Sequence, residues 1–259
     1  MAIGVVIRRF IHCSILGLLL SMAEYGAACE PESYFLFRSE AQDRLDSLIA
    51  HSSSENAFER LVLMHNLSFH ADKQLHKRAE KLLEKEFPKK SRTPIARAYA
   101  GSLKMIKVSH RTTGSKVIRT INPLTRSPYA EAREGYRQVS DAVAQDTAST
   151  ILRILRATAA AESAEHLNEL FDSAAIDLEW LQNHRQPNDS VCQFLIHLNW
   201  AKYYYKLADR NRSDSILTKA KQHVEIALAY ACTPVYWKWA QDWRNRVEAI
   251  DPSGLKHRE

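Results

Sequence analysis

The chain has 259 residues, a formal net charge of +6, and 45% hydrophobic and 25% charged residues. That composition is long enough and apolar enough to bury its own core, and it excludes both a disordered chain and a multi-span membrane protein. Only 7 glycines and 8 prolines punctuate it, too few for a many-stranded sandwich or barrel, while Ala, Leu, Lys, Arg, Glu and Gln recur, so it reads as all-α. No glycine-rich string of the GxGxxG or P-loop type is present to cradle a phosphate.

Residues 1–28 stand apart. Arg8 and Arg9 precede an apolar stretch from Phe10 to Ala23, and small residues follow it. These are the three parts of an export signal, with cleavage expected after Ala23 or Ala28. The run is short for a membrane span, which needs about 20 residues, although an N-terminal anchor is the competing reading. Cys29 follows Ala27 and Ala28, as the lipidated cysteine of a lipoprotein does, but Gly26 stands where such signals carry a leucine-like residue. Simple cleavage and lipidation at Cys29 both stay open, and the expected location is the periplasm or envelope. Removing Arg8, Arg9 and Glu24 lowers the net charge to +5.

About ten helical segments follow by apolar periodicity. Ser39 with Gln42 reads as a capping box ahead of Ala41, Leu45, Leu48 and Ile49, inside an N-terminal extension spanning 29–54. Phe58, Leu61, Val62 and Phe69 mark the second helix, and Leu75, Ala79, Leu82 and Leu83 the third, stopped by Pro88. Thr93 with Pro94 starts the fourth, through Tyr99, Ser102, Met105 and Ile106. After a long loop, Tyr129, Ala132, Tyr136, Val139 and Ala142 mark the fifth, Ile151, Ile154, Leu155 and Ala159 the sixth, and Leu167, Leu170, Phe171, Ala174, Leu178 and Leu181 the seventh. Val191, Phe194, Leu195, Leu198, Ala201, Tyr204 and Tyr205 mark the eighth, and Leu217, Ala220, Val224, Ala227 and Ala231 the ninth. The tenth opens at Thr233-Pro234 and carries Tyr236, Trp239, Trp243 and Val247. Short polar breaks favour antiparallel neighbours.

The string LTKAKQHVEIALAYACTP resembles the second helix of a tetratricopeptide repeat, with Ala220, Val224 and Ala227 on the small, large and small positions. NWAKYYYKLAD resembles the first helix, Ala201 replacing the usual glycine. The same template fits ARAYAGSLKM at Gly101, EGYRQVSDAVAQD at Gly135, LFDSAAIDLEWL at Ala174 and KRAEKLLEKEFP at Ala79. The anchors Ala79, Gly135, Ala174 and Ala220 lie 56, 39 and 46 residues apart, against about 34 in a regular repeat, so the repeats are degenerate with insertions. An Ala-Tyr-x-Gly-Ser helix before an Arg-x-Leu-Arg-Ala helix is similar to the core of uncharacterised bacterial repeat proteins. The resemblance implies a right-handed α-solenoid of antiparallel helix pairs over residues 55–250, with 251–259 as a disordered tail, and a binding role through its groove.

Several residues are singled out for function. No acidic residue lies between Glu86 and Glu131, while Lys89, Lys90, Arg92, Arg97, Lys104, Lys107, Arg111, Lys116, Arg119 and Arg126 give ten positive charges, leaving −5 on the rest of the mature chain. This is either a solvated basic loop or a surface facing anionic lipid or an acidic protein; export argues against nucleic acid. Arg153 and Arg156, three apart on one helix face, call for a partner among Glu162, Asp172, Asp177 and Glu179, or else form a fork for a carboxylate ligand. On the repeat template Ser102, Lys202, Tyr205 and Lys206 are candidate groove residues, with an ordinary solvated face as the alternative for the two lysines and the tyrosine of the eighth helix. Cys192 and Cys232 fall at the same level of a helix hairpin turning near Asn211 and Arg212, which makes a disulfide or a pair of buried thiols the two readings. The clustered Tyr203, Tyr204, Tyr205, Trp237, Trp239 and Trp243 read as core more readily than as a sugar platform. No HExxH or GxSxG string, metal set or cofactor motif appears. The chain is therefore expected to bind rather than catalyse: a protein partner as an envelope scaffold or, alternatively, an apolar or carboxylate small molecule as part of a transport system.

Overall fold

The computed structural model describes residues 38–68, 73–112, 128–163, 170–184, 190–232 and 234–250. Among them there is no strand, and the chain forms helices α1 (Arg38–Ala50), α2 (Ala57–Ser68), α3 (Lys73–Glu86), α4 (Pro94–Thr112), α5 (Pro128–Gln145), α6 (Thr150–Ser163), α7 (Phe171–His184), α8 (Ser190–Asn211), α9 (Asp214–Ala229) and α10 (Pro234–Glu248). The signal segment, Cys29, Phe69, Leu167, Lys116, Arg119, Arg126 and the tail lie outside the described residues, as does the side chain of Arg111. No described helix is long and apolar enough to cross a membrane.

Local chemistry sets the helix boundaries. Ahead of α2, Ser53 and Asn56 cap each other reciprocally: the Ser53 N–H donates to Asn56 Oδ1 at 3.2 Å and the Asn56 N–H to Ser53 Oγ at 3.4 Å. Thr93 Oγ1 accepts from the Ala96 N–H at 3.4 Å, with Pro94 at the first turn, where a missing N–H costs nothing. Ser149 does the same for α6 through the Leu152 N–H at 3.4 Å. Between α8 and α9 the chain reverses at Arg212, whose φ of 50° is left-handed, and the Ser213 N–H closes back on the Ala208 carbonyl at 3.2 Å. α1 is described from Arg38 onward, where Gln42 donates to Asp46 at 2.9 Å; the side chain of Ser39, and with it the expected capping box, lies outside the described residues.

Each helix packs against the next in sequence, and α4 with α5 and α8 with α9 share the longest contacts. In addition α2 touches α4, α4 touches α6, α6 touches α8 and α8 touches α10, so the even-numbered helices form a continuous row. The core is correspondingly elongated. Leu45, Leu61, Leu63, Tyr99, Leu103 and Val139 fill one end and Phe194, Ile196, Leu198, Tyr236 and Ala240 the other. Helix α6 spans both, giving Leu152 and Leu155 to the first cluster, Ile154 and Ala157 to the second, and Ala159 and Ala160 to a third between α4, α5 and α7.

Small residues set the close crossings. A Cβ on Gly101 would stand 2.3 Å from the Gly135 carbonyl oxygen, and one on Gly135 would stand 2.5 Å from that of Gly101. Ala201, Ala208, Ala220 and Ala227 are fully buried where α8, α9 and α10 meet.

Candidate functional site

The six residues proposed for binding a ligand or partner all fall on even-numbered helices: Ser102 on α4, Arg153 and Arg156 on α6, and Lys202, Tyr205 and Lys206 on α8. The structure divides them into three clusters, each engaged by neighbouring helices.

Arg153 and Arg156 converge on Asp177 of α7, whose side chain is wholly buried. Arg156 is bidentate, its Nε donating to Oδ2 at 2.6 Å and its Nη2 to Oδ1 at 2.7 Å. Arg153 donates from Nη1 to Oδ1 at 3.0 Å and from Nε to the Thr147 carbonyl at 2.9 Å, and its guanidinium lies 4.1 Å from the Trp180 ring centroid. Planar forks suit this arrangement, because one carboxylate accepts from two guanidinia in fixed directions. Burial pulls the Arg156 pKa down, but the hydrogen bonds and charge of Asp177 carry it above its ordinary value. Tyr136 is buried beside this cluster, and burial pushes its hydroxyl pKa up. Of the four acids that the sequence offered, Asp177 takes both arginines, and Glu162 pairs with Lys202 instead.

Lys202 and Lys206 meet the C-terminus of α6. Lys202 Nζ donates to Glu162 at 2.5 Å, and Lys206 donates to the carbonyls of Ala161 and Glu162. A cation suits those carbonyls, because the end of a helix leaves them without internal partners and carries partial negative charge. Desolvation raises the Glu162 pKa, yet Lys202, with Lys206 and Arg246, holds the carboxyl below its usual range. Trp243 of α10 completes the cluster, with Lys202 5.5 Å and Arg246 4.9 Å from its ring centroid and Tyr205 edge-on at 5.6 Å.

Ser102 is 3% exposed, and its hydroxyl lies 2.8 Å from Nε2 of His65. Asn66 Oδ1 accepts from His65 Nδ1 at 3.0 Å, which leaves Nε2 to accept the Ser102 proton. The connectivity matches a hydroxyl, base and orienting group, as nucleophilic catalysis requires. Burial defeats it: His65 is 0% exposed, so no substrate carbonyl reaches the serine. Desolvation lowers the His65 pKa to about 4, so the ring is neutral near pH 7. Tyr99 packs edge-on against that ring at 4.8 Å. His65 carries no sequence motif; its partner lies 37 residues away and only helix packing joins them.

The basic block is less bare than its sequence suggests. Lys107 pairs with Glu80 of α3 at 2.8 Å, Lys104 stands 3.8 Å from Glu134 of α5, and Arg92 Nε donates to the Phe87 carbonyl at 2.8 Å. Lys89 and Lys90 are exposed.

Cys192 is buried within the α8 core cluster, and Cys232, half-buried at the edge of that cluster beyond the end of α9, is disulfide-bonded.

Among the described residues no group of three or more His, Cys, Asp and Glu side chains stands together to hold a metal ion. No family model, no curated protein and no solved structure matches the chain.

Proposed function

We propose that this chain is an exported, tetratricopeptide-like α-solenoid of antiparallel helix pairs that works as a scaffold, binding a protein partner along the face of its even-numbered helices. The observation that carries the reading is the row of contacts from α2 through α4, α6 and α8 to α10. One helix from each pair would then lie along the same side, and stacked pairs of this kind offer extended surfaces rather than a closed pocket. Two further features support it. The polar groups that chemistry would need at Ser102, Arg153, Arg156, Lys202 and Lys206 are engaged by neighbouring helices, which suits a rigid platform. A disulfide at Cys232 suits an oxidising compartment, as export requires.

Native mass spectrometry of the chain, gently purified from the envelope fraction of its own cells, tests the proposal. A stoichiometric protein complex is the expected result. A solitary chain carrying a co-purified lipid or organic acid would replace scaffolding with small-molecule binding, and a solitary, ligand-free chain would overturn both.

A further inference from the structure

Along α3 the sequence KQLHKRAEKLLEKE interleaves cations with acids, so read linearly it is a helix of mixed charge. Packing sorts them. Leu75, His76, Ala79 and Leu83 turn inward, and the opposite side is exposed at Lys73, Lys77, Arg78, Lys81 and Lys85. The three acids are drawn to neighbours. Glu80 pairs with Lys107 of α4 at 2.8 Å, Glu84 acts on Arg92 past the helix end, and Glu86 meets Lys85 at 3.0 Å with Ser54 and Arg60 beside it. Lys73, Lys77, Arg78 and Lys81 are left with no acidic partner among the described residues. Because Lys73, Lys77, Lys81 and Lys85 recur every fourth residue, they form one ridge, rising about 6 Å from each lysine to the next. Lys89 and Lys90 are exposed just beyond it.

The chemistry of this ridge selects its partner. Lysine is a hydrated point charge on a flexible stem, with no planar fork to fix a bound group in one direction. On a convex helix such charges stand in a line, so they do not converge on one small anion. Protein interfaces are depleted in lysine and need an apolar centre. The large apolar side chains exposed among the described residues, Ile176, Ile226 and Trp237, lie on α7, α9 and α10 and not on α3. Single-stranded nucleic acid calls for aromatic platforms, and the exposed side of α3 carries none. A fluid anionic surface asks for less, because exposed lysines are attracted to its headgroups without fixed geometry.

We infer that α3 is a membrane-docking face, its ridge of Lys73, Lys77, Lys81 and Lys85 lying on a lipid surface that carries anionic headgroups and held there by charge without insertion. The choice of lipid over duplex nucleic acid rests on the export reading, under which the chain works at the envelope. Helix α3 is not in the row of contacts from α2 through α4, α6 and α8 to α10, so docking leaves that row to a protein partner.

Co-sedimentation of the purified chain with vesicles of phosphatidylcholine, alone or mixed with phosphatidylglycerol, tests the ridge. An apolar or lipidated N-terminus binds both kinds of vesicle, so the ridge is read from the preference for the anionic ones. That preference is expected at about 0.15 M salt and is lost at about 1 M, where charges are screened within about 3 Å. The double variant Lys77→Gln, Lys81→Gln should weaken binding to the anionic vesicles about fivefold per lysine. The pair Lys221→Gln, Lys238→Gln removes the same charge from exposed positions on α9 and α10 and should leave that binding unchanged. Glutamine is a good helix former and all four positions are exposed, so both double variants keep the fold. Equal binding to neutral and anionic vesicles, or equal weakening by the two double variants, would overturn the ridge. Retention on duplex DNA without a preference for anionic vesicles would overturn the choice of lipid. The mass of the mature chain reports signal removal separately, so the export reading and the ridge fail independently.

Discussion

Gly101 on α4 and Gly135 on α5 press their backbones together, each occupying the space that a Cβ on the other would need: 2.3 Å from the Gly135 carbonyl oxygen in one direction and 2.5 Å from that of Gly101 in the other. Both obstacles are backbone atoms, which cannot rotate away as a side-chain tip can. In an exposed helix interior, Gly→Ala stabilises by about 1 kcal/mol. Here the sign reverses. Gly101→Ala and Gly135→Ala are each expected to destabilise by about 1–3 kcal/mol or more through overpacking, read as a lowered Tm by circular dichroism. A raised Tm for either would refute the close crossing.

Asp177 is the shared partner of Arg153 and Arg156, and the three deletions are expected to differ in size. Asp177→Ala leaves two guanidinia near each other without their carboxylate, whereas Arg153→Ala or Arg156→Ala leaves Asp177 one partner. The aspartate change is expected to cost about 3–5 kcal/mol and each arginine change less, measured by urea unfolding. Unchanged stability after the arginine changes, with partner binding lost, would instead make these arginines a recognition fork.

His65 carries a linked pH dependence. Its folded pKa of about 4 lies below the ordinary 6.5, so the unfolded chain takes up a proton that the folded chain refuses. Stability from this group is intact above pH 6.5 and falls as pH drops toward 4, by about 3 kcal/mol in all, at about 1.4 kcal/mol per unit shift. Urea unfolding at several pH values should show this loss, and His65→Gln should remove its share. A profile flat between pH 7 and 4 would contradict the burial of the ring.

Thiol counting reads the state of the cysteines directly. In the mature chain, denatured without reductant, Cys232 is expected to be blocked until reductant is added, and blockage of Cys192 along with it would identify the two as a pair. Labelling both, followed by peptide mapping, checks the assignment. A reactive Cys232 would remove the disulfide and, with it, one support for export.

Helix content, order and approximate boundaries were legible in the amino-acid sequence, because apolar spacing and punctuation are local properties. Pro94 behind Thr93, and the reversal near Arg212, lie where those cues put them. Gly101 and Gly135 were visible as small residues on a repeat template, but that they face each other across one crossing is a fact of packing. The same limit explains the sites. Arg153 and Arg156 announced a need for a carboxylate, and four acids could have met it; the phase of α7 selects Asp177. Lys202 and Lys206 were legible as polar positions on the repeat template, but that α6 ends beside them with Glu162 and carbonyls to satisfy is a fact of packing. The basic run from Lys89 to Arg126 counts charges along the chain, whereas Glu80 and Glu134 reach Lys107 and Lys104 across helices. His65 with Ser102 and His197 with His223 had no signature at all, since residues 37 and 26 positions apart become partners only when helices stack. Periodicity along the chain thus determined which residues turn inward, and tertiary packing alone decided which polar groups meet there, because burial makes each one seek a partner wherever the neighbouring helix happens to offer it.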